Sequence, residues 1–134
     1  MNAAQKYGKV QAATASNERL MVMAFETALR HMRTAVTCFE EGRRSEGMLL
    51  CTKASDLVIG LHSTLDTRWA PELCQQLAAL YQFTCARLLR AATTLNNNPA
   101  AAAATKEAIR AFAPLVDGFS GAVEKVMVQL GKTG

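Results

Sequence analysis

The side chains best suited to phosphoryl transfer, metal binding or nucleophilic attack are two histidines and four cysteines. His31 and His62 both fall in helical patterns, and a histidine on a helix carries the phosphoryl group in histidine phosphotransfer modules. His31 is followed by Met-Arg-Thr and His62 by Ser-Thr-Leu, so neither gives the His-x-Leu-Lys-Gly pattern of those modules. A histidine near an apolar helix face is usually structural. Phosphotransfer is therefore a minor alternative.

The cysteines lack the spacing of a metal site. They are Cys38, Cys51, Cys74 and Cys85. None belongs to a Cys-x-x-Cys pair and each falls among apolar residues, which predicts small buried thiols in a reducing compartment, without disulfides. We expect no metal and no cofactor. No nucleophile has a base at a recognisable spacing, and no glycine-rich loop could hold phosphate. The sequence thus predicts that the protein is not an enzyme.

Composition predicts one folded domain. Half of the 134 residues are apolar and 19% are charged, which excludes a disordered chain. No apolar run approaches the roughly 20 residues of a membrane span, and residues 1–9 lack the apolar core of a secretory signal, so we expect a cytoplasmic protein without membrane insertion. The net charge of +4 comes from scattered basic residues without an aromatic platform for bases. We expect no nucleic-acid partner.

Four segments carry apolar residues at steps of three and four, the period of a helix face that packs into a core. They predict an all-α, antiparallel four-helix bundle. The predicted N-caps are Ser16, Ser45, Asp66 or Thr67, and Asn98. The first helix should run from about residue 17 to 41, where Gly42 ends it, and Pro71 suits the first turn of the third. Pro114 interrupts the last stripe and predicts a kinked or broken helix near residues 110–113.

Residues 1–15 show no strong period and are predicted to form a mobile arm ahead of a bundle domain of residues 16–134. Tyr7 and Val10 are its sizeable side chains. The first helix carries a second apolar line beside its core stripe, made of Leu20, Met23, Ala24 and Thr27. A helix apolar over so wide an arc is either deeply buried or forms a groove for another helix, with methionine as an adaptable surface. The periodicity does not separate these two interpretations.

Three segments resemble the FliS family of flagellar secretion chaperones. The first joins Tyr7 and Val10 to Thr14-Ala15-Ser16 and the helix through Arg30. The second is residues 53–66, from Lys-Ala to Ser-Thr-Leu-Asp, and the third is residues 77–88, with its Leu-Tyr pair. The resemblance covers nearly the whole chain, in order. The chain departs from the family pattern at residues 25–27, where Phe-Glu-Thr replaces Tyr-Asp-Gly.

The resemblance implies a bundle that binds the disordered C-terminal segment of flagellin. Such a chaperone blocks premature polymerisation in the cytoplasm and presents flagellin to the export machinery for secretion during flagellum assembly. Together with the apolar arc, it predicts these partner contacts: Tyr7, Val10, Leu20, Met23, Ala24, Thr27, Leu57 and Leu61. We expect the arm to cover part of the groove and to be displaced on binding. The alternative is a structural bundle that self-associates, and a client-free chaperone can itself form a homodimer.

Overall fold

The computed structural model describes the backbone of residues 3–65, 68 and 70–133, and side-chain surroundings within residues 18–121, except 66, 67, 69 and 120. Its four helices are α1 (Ala3–Glu40), α2 (Arg44–Ser63), α3 (Pro71–Thr93) and α4 (Asn98–Thr133). Each helix packs against the next one in the chain, and α4 packs back against α1. Because the connections are short, neighbouring helices run antiparallel. The predicted all-α four-helix bundle is confirmed.

One face of each helix forms the core, as the helical period predicted. The largest fully buried side chains include Phe25, Phe39, Phe112, Met32, Leu88 and Val58. Phe25 of α1 lies at the centre of an aromatic group, with ring centroids 5.7 Å from Phe112 and 4.8 Å from Phe119 of α4, and 6.5 Å from Tyr81 of α3. Tilted aromatic pairs of this kind add to the stabilisation from buried area. Three helices are therefore held together around one side chain.

Small side chains let α4 pack closely at its N-terminal end. Ala101 and Ala108 are fully buried, and Ala104 is 5% exposed. The Thr105 hydroxyl donates to the Ala101 carbonyl at 2.9 Å, and its oxygen lies 3.5 Å from the Cys51 sulfur on α2. Close packing against the core therefore anchors the alanine-rich start of α4.

The helix starts differ from the predicted caps. α1 begins at Ala3, so Ser16 lies inside the helix and is not its N-cap. Several alanines precede Ser16, and their high helix propensity extends a helix whose later turns are fixed by the core. α2 begins at Arg44 without a side-chain cap, so the cap predicted at Ser45 is also wrong. Asp66 and Thr67 lie outside the described residues.

α4 is capped one residue before the predicted position. The side-chain oxygen of Asn97 accepts the backbone N–H of Ala100 at 3.0 Å. Asn98 instead accepts a bond from Arg44 Nε at 3.2 Å, which ties the α1–α2 turn to the start of α4. Two other predicted helix boundaries are confirmed. Gly42 has φ +78° just after α1, and Pro71 is the first residue of α3.

Pro114 does not break the last helix. α4 continues through it to Thr133. Phe112 and Val116 on either side are 0% and 4% exposed, so core packing holds both flanking turns in line. One missing backbone hydrogen bond is offset by this packing. The sequence predicted a kinked or broken helix near residues 110–113, and the prediction of a broken helix is wrong.

Candidate partner-binding surface

The apolar line of α1 lies on the side that faces α2. Leu20, Ala24, Thr27, His31 and Cys38 follow one another at helical steps and therefore share one line along α1. The Cys38 sulfur lies 4.0 Å from a carboxylate oxygen of Glu46 on α2. Further along the same side of α1, the charge of Lys53 on α2 acts on His31. Both pairs are consistent with one antiparallel register between α1 and α2.

Continued along two antiparallel helices, this register would bring Thr27 level with Leu57 and Ala24 level with Gly60. A methyl group built on Gly60 would meet no atom within 4 Å, so the space beside Gly60 is open. We call this side of the helix pair the α1–α2 surface. Its residues are Leu20, Met23, Ala24, Thr27, His31, Lys53, Leu57 and Gly60.

The predicted contact residues divide between this surface and the core. Leu20 and Met23 are each 61% exposed, which is unusual for two large apolar side chains one helical turn apart. Ala24, Thr27 and Leu57 are half-buried, and both Ala24 and Leu57 pack on the core cluster. Leu61 is 4% exposed and is a core residue in this structure. Tyr7 and Val10 have side chains outside the described residues.

The exposed charges beside this surface are mixed. Arg19 of α1 and Lys53 of α2 are basic, and Asp56 of α2 is acidic. Burial lowers the pKa of His31 below its usual 6.5, and the positive charges of Arg30 and Lys53 lower it further. Both effects favour the uncharged imidazole. An apolar surface with such edges suits the apolar face of a partner helix.

A second depression lies on the opposite side of α1, against α4. It has a volume of about 610 Å³ and is lined by Arg30, Arg33 and Thr34 of α1 and by Asp117 and Gly121 of α4, among others. In contrast to the α1–α2 surface, it is rich in charge. Helical periodicity does not predict this depression, because it does not reveal how α1 pairs with α4.

Among the described residues, the histidines and cysteines do not form a common site. Among the described residues, no three or more histidine, cysteine, aspartate or glutamate side chains are grouped so that they could hold a metal ion. His62 is half-buried, with its ring centroid 6.0 Å from that of Tyr81. Burial raises the pKa of the Cys51 and Cys85 thiols, which keeps them protonated and weakly nucleophilic. Within the described chain, no helix is long and apolar enough for a membrane span.

Several apolar residues lie exposed away from the α1–α2 surface. Leu73, Phe83 and Leu89 of α3 are 54%, 44% and 63% exposed. Leu95, beyond the end of α3, is 72% exposed. Helical spacing alone places Leu73 and Leu95 in the buried stripe of the third helix, and that prediction is wrong for both. Leu73 lies in the first turn and Leu95 past the last, where the neighbouring helices no longer cover them.

Comparison with known families agrees with this architecture. The family model described as "Flagellar protein FliS" matches residues 1–126. No curated protein matches the chain. The family match includes α1, α2, α3, the part of α4 up to residue 126, and every residue of the α1–α2 surface.

Proposed function

The chain belongs to the FliS family of flagellar export chaperones, and from that premise we propose that it binds the C-terminal segment of flagellin at the α1–α2 surface. In this role it would hold flagellin unpolymerised in the cytoplasm and deliver it to the export machinery. The observation that carries the proposal is the pair Leu20 and Met23 of α1, each 61% exposed.

We propose that the partner binds the α1–α2 surface as an amphipathic helix. The partner's apolar side chains would lie over Ala24 and Gly60, where the small residues permit close approach, and Leu20 and Met23 would pack against its flank. Met23 adapts its shape to the side chains it meets, since its thioether is flexible and polarisable. Arg19 and Lys53 would contact acidic residues at the edge of the partner helix and speed its association.

The size of the α1–α2 surface limits the binding free energy that this surface contributes alone. Burying the exposed parts of Leu20 and Met23 contributes about 2–4 kcal/mol, taking roughly 1.5–3 kcal/mol for each side chain when it goes from fully exposed to buried. Ordering a disordered partner costs about 2–5 kcal/mol. The two terms nearly cancel, so tight binding requires more of the bundle to be covered. We therefore propose that the partner extends beyond this seam, and that Tyr7 and Val10 add to the contact.

Charge substitutions on the exposed positions test the site without disturbing the core. Met23→Glu should leave the melting temperature within 2–3 °C of wild type, because surface changes usually alter stability by less than about 0.5 kcal/mol. It should weaken flagellin binding in calorimetric titration at least about tenfold, since a carboxylate would lose its water against apolar partner atoms. Leu95→Glu is the matched control, because Leu95 is also an exposed apolar residue, 72% exposed, but lies at the other end of the bundle.

Ala24→Asp is the second site variant. Ala24 is half-buried, so this change should cost affinity and some stability, and both must be measured. Unchanged affinity in Met23→Glu and Ala24→Asp, with normal folding, would show that flagellin binds elsewhere. If the Leu95→Glu control weakens binding as much as Met23→Glu does, the effect is general electrostatics and not contact at this surface.

A further inference from the structure

α3 and α4 form the side of the bundle opposite the α1–α2 surface, because each of them packs against one helix of that other pair. A partly exposed ion pair joins them: Arg87 Nη1 donates to Glu107 Oε2 at 3.3 Å. Going back along α3 from Arg87, steps of four and three residues reach Phe83, Leu80 and Gln76, which therefore lie in one line with it. The ion pair thus marks one end of a line of α3 side chains beside α4.

The matching line of α4 carries small residues. The same helical steps lead from Glu107 to Ala111, Pro114 and Gly118. A methyl group built on Gly118 would meet no atom within 4 Å, so the space beside it is open. We call the two lines together the α3–α4 surface, and its residues are Gln76, Leu80, Phe83, Arg87, Glu107, Ala111, Pro114 and Gly118.

Apolar side chains are left uncovered in the middle of the α3–α4 surface. Phe83 is 44% exposed, and Pro114 is exposed as well. Leu80 and Ala111 are half-buried but are not among the described residues that pack on the core cluster. An exposed aromatic ring beside other uncovered apolar groups is typical of a surface that meets another protein.

The charges of the α3–α4 surface lie at its ends. Arg90 is exposed one turn beyond Arg87, and Glu72 is exposed one turn beyond Gln76 at the opposite end. The other charged residues of the neighbouring turns of α4 line the depressions on its α1 side, and these residues are Lys106, Arg110 and Asp117. A partner that matches this surface needs an uncharged centre and an acidic residue at the end that holds the two arginines.

Arg87 has hydrogen-bonding capacity that the fold does not use. Its guanidinium carbon lies 5.1 Å from the centroid of the Phe83 ring, so the ring supports the planar group on one face. Its Nε is buried and has no hydrogen-bond partner within the described part of the chain. A buried N–H without an acceptor is unfavourable. Because a guanidinium binds a carboxylate through two parallel N–H donors, a carboxylate from outside would satisfy Nε together with the second Nη.

We propose that the α3–α4 surface binds a helix of a second protein, which presents one acidic residue to Arg87 and a large apolar residue, one helical turn away, to Phe83. The apolar residue would lie over Ala111 and Gly118, where small side chains permit close approach. Arginine and aromatic residues carry a large share of the binding free energy at protein interfaces, and here the two side chains are already stacked. The partner is therefore an amphipathic helix whose apolar stripe ends in a carboxylate.

The α3–α4 surface and the α1–α2 surface are independent, because they lie on opposite sides of the bundle. The inference does not rest on flagellin binding. If both proposals hold, the chain would bind flagellin and the second protein at the same time. A single helix laid on this surface buries less than the roughly 1,200 Å² of a standard stable interface, so we expect a transient complex.

Two synthetic peptides of about 18 residues, long enough to form a helix, test the proposal on the full chain. Both carry leucine and phenylalanine along one face and alanine, serine and glutamine elsewhere. One has a single glutamate at the end of the apolar stripe, and the other has glutamine there. In fluorescence anisotropy titrations the glutamate peptide should bind at least about tenfold more tightly, because a hydrogen bond to a charged group is stronger than one between neutral groups.

Three variants locate the binding site. Arg87→Gln should remove the preference for the glutamate peptide, whereas Arg30→Gln, an exposed arginine of α1, should keep it. Gly118→Glu should weaken both peptides at least about tenfold, since it places a carboxylate among apolar contacts. Gly60→Glu is its matched control on α2, because Gly60 is also exposed and a methyl group there meets no atom within 4 Å. Circular dichroism melts check that each variant is folded.

The expected pattern is a glutamate preference that depends on Arg87 and an affinity that depends on Gly118 but not on Gly60. Equal binding of the two peptides, no binding of either, or a preference that survives Arg87→Gln would each overturn the proposal. A loss of affinity in Gly60→Glu and not in Gly118→Glu would overturn it too, because the peptide would then occupy the α1–α2 surface. Displacement of the peptide by flagellin would assign the α3–α4 surface to flagellin and contradict a second partner.

Discussion

Gly47 and Gly60 lie in the same helix and should respond oppositely to the same substitution. A methyl group at Gly47 would lie 2.7 Å from Cε1 and 2.9 Å from Cδ1 of Phe39. That ring is 1% exposed, so it cannot move into solvent. Overpacking of a tight core costs about 1–3 kcal/mol. Replacing glycine by alanine inside a helix returns at most about 1 kcal/mol.

Because the closest contact is far below normal packing distance, the cost at Gly47 should fall in the upper part of that range. We expect Gly47→Ala to lower the free energy of unfolding by about 1–2 kcal/mol, which is roughly 4–8 °C in melting temperature for a domain of this size. Gly60→Ala meets no atom and should raise stability by about 0.5–1 kcal/mol. Urea unfolding followed by circular dichroism measures both values.

A double variant isolates the cause. In a Phe39→Leu background the ring is gone, so Gly47→Ala should become neutral or stabilising. A wild-type-like melting temperature for Gly47→Ala alone would refute the close approach of Phe39 to α2. An equal loss in Gly47→Ala and Gly60→Ala would also refute it, since a shared effect could not come from the ring.

Three further predictions concern the cap, the thiols and the N-terminal segment. Asn97→Ala should lower the free energy of unfolding by about 1 kcal/mol in urea titration, because the Ala100 N–H loses its acceptor, whereas Asn98→Ala should leave the N-cap of α4 intact. Burial raises the folded-state pKa of Cys51 and Cys85, so their thiols lose protons at lower pH in the unfolded chain than in the folded one. The free energy of unfolding should therefore fall as the pH rises through the ordinary cysteine range. Replacing both cysteines by alanine should remove this dependence of the free energy of unfolding on pH between about pH 8 and 10. Deletion of residues 1–12 should leave the melting temperature nearly unchanged and alter flagellin affinity. A higher affinity would show that the segment covers the α1–α2 surface, and a lower affinity would show that it adds contacts to flagellin. An unfolded variant would show that the segment is structural.

Local sequence signals predicted the core of this bundle well and its helix ends poorly. The stripe from Phe25 to Phe39 is buried as predicted, because helical period and apolar burial act together along α1. The caps at Ser16 and Ser45 failed, since a good N-cap residue does not start a helix when the residues before it also favour helix. Leu73 and Leu95 failed for a different reason: an apolar residue is buried only where a neighbouring helix reaches it.

The α1–α2 surface could not be predicted from local sequence patterns, because it depends on how two helices pair. Leu20 and Met23 lie in the same apolar arc as Phe25, and only the pairing of α1 with α2 shows that they are exposed while Phe25 is buried. The match of Ala24 with Gly60 likewise depends on the register between two helices.

The most direct test of the proposed function is calorimetric titration of the wild-type chain with flagellin from the same cell, full-length and lacking its C-terminal segment. We predict about one flagellin per chain for the full-length protein, with a negative heat-capacity change from apolar burial, and no detectable binding once the segment is removed. The isolated segment should bind as well as full-length flagellin. Equal binding of full-length and truncated flagellin, or no binding of either, would contradict the chaperone function proposed for this chain and leave a self-associating structural bundle in its place.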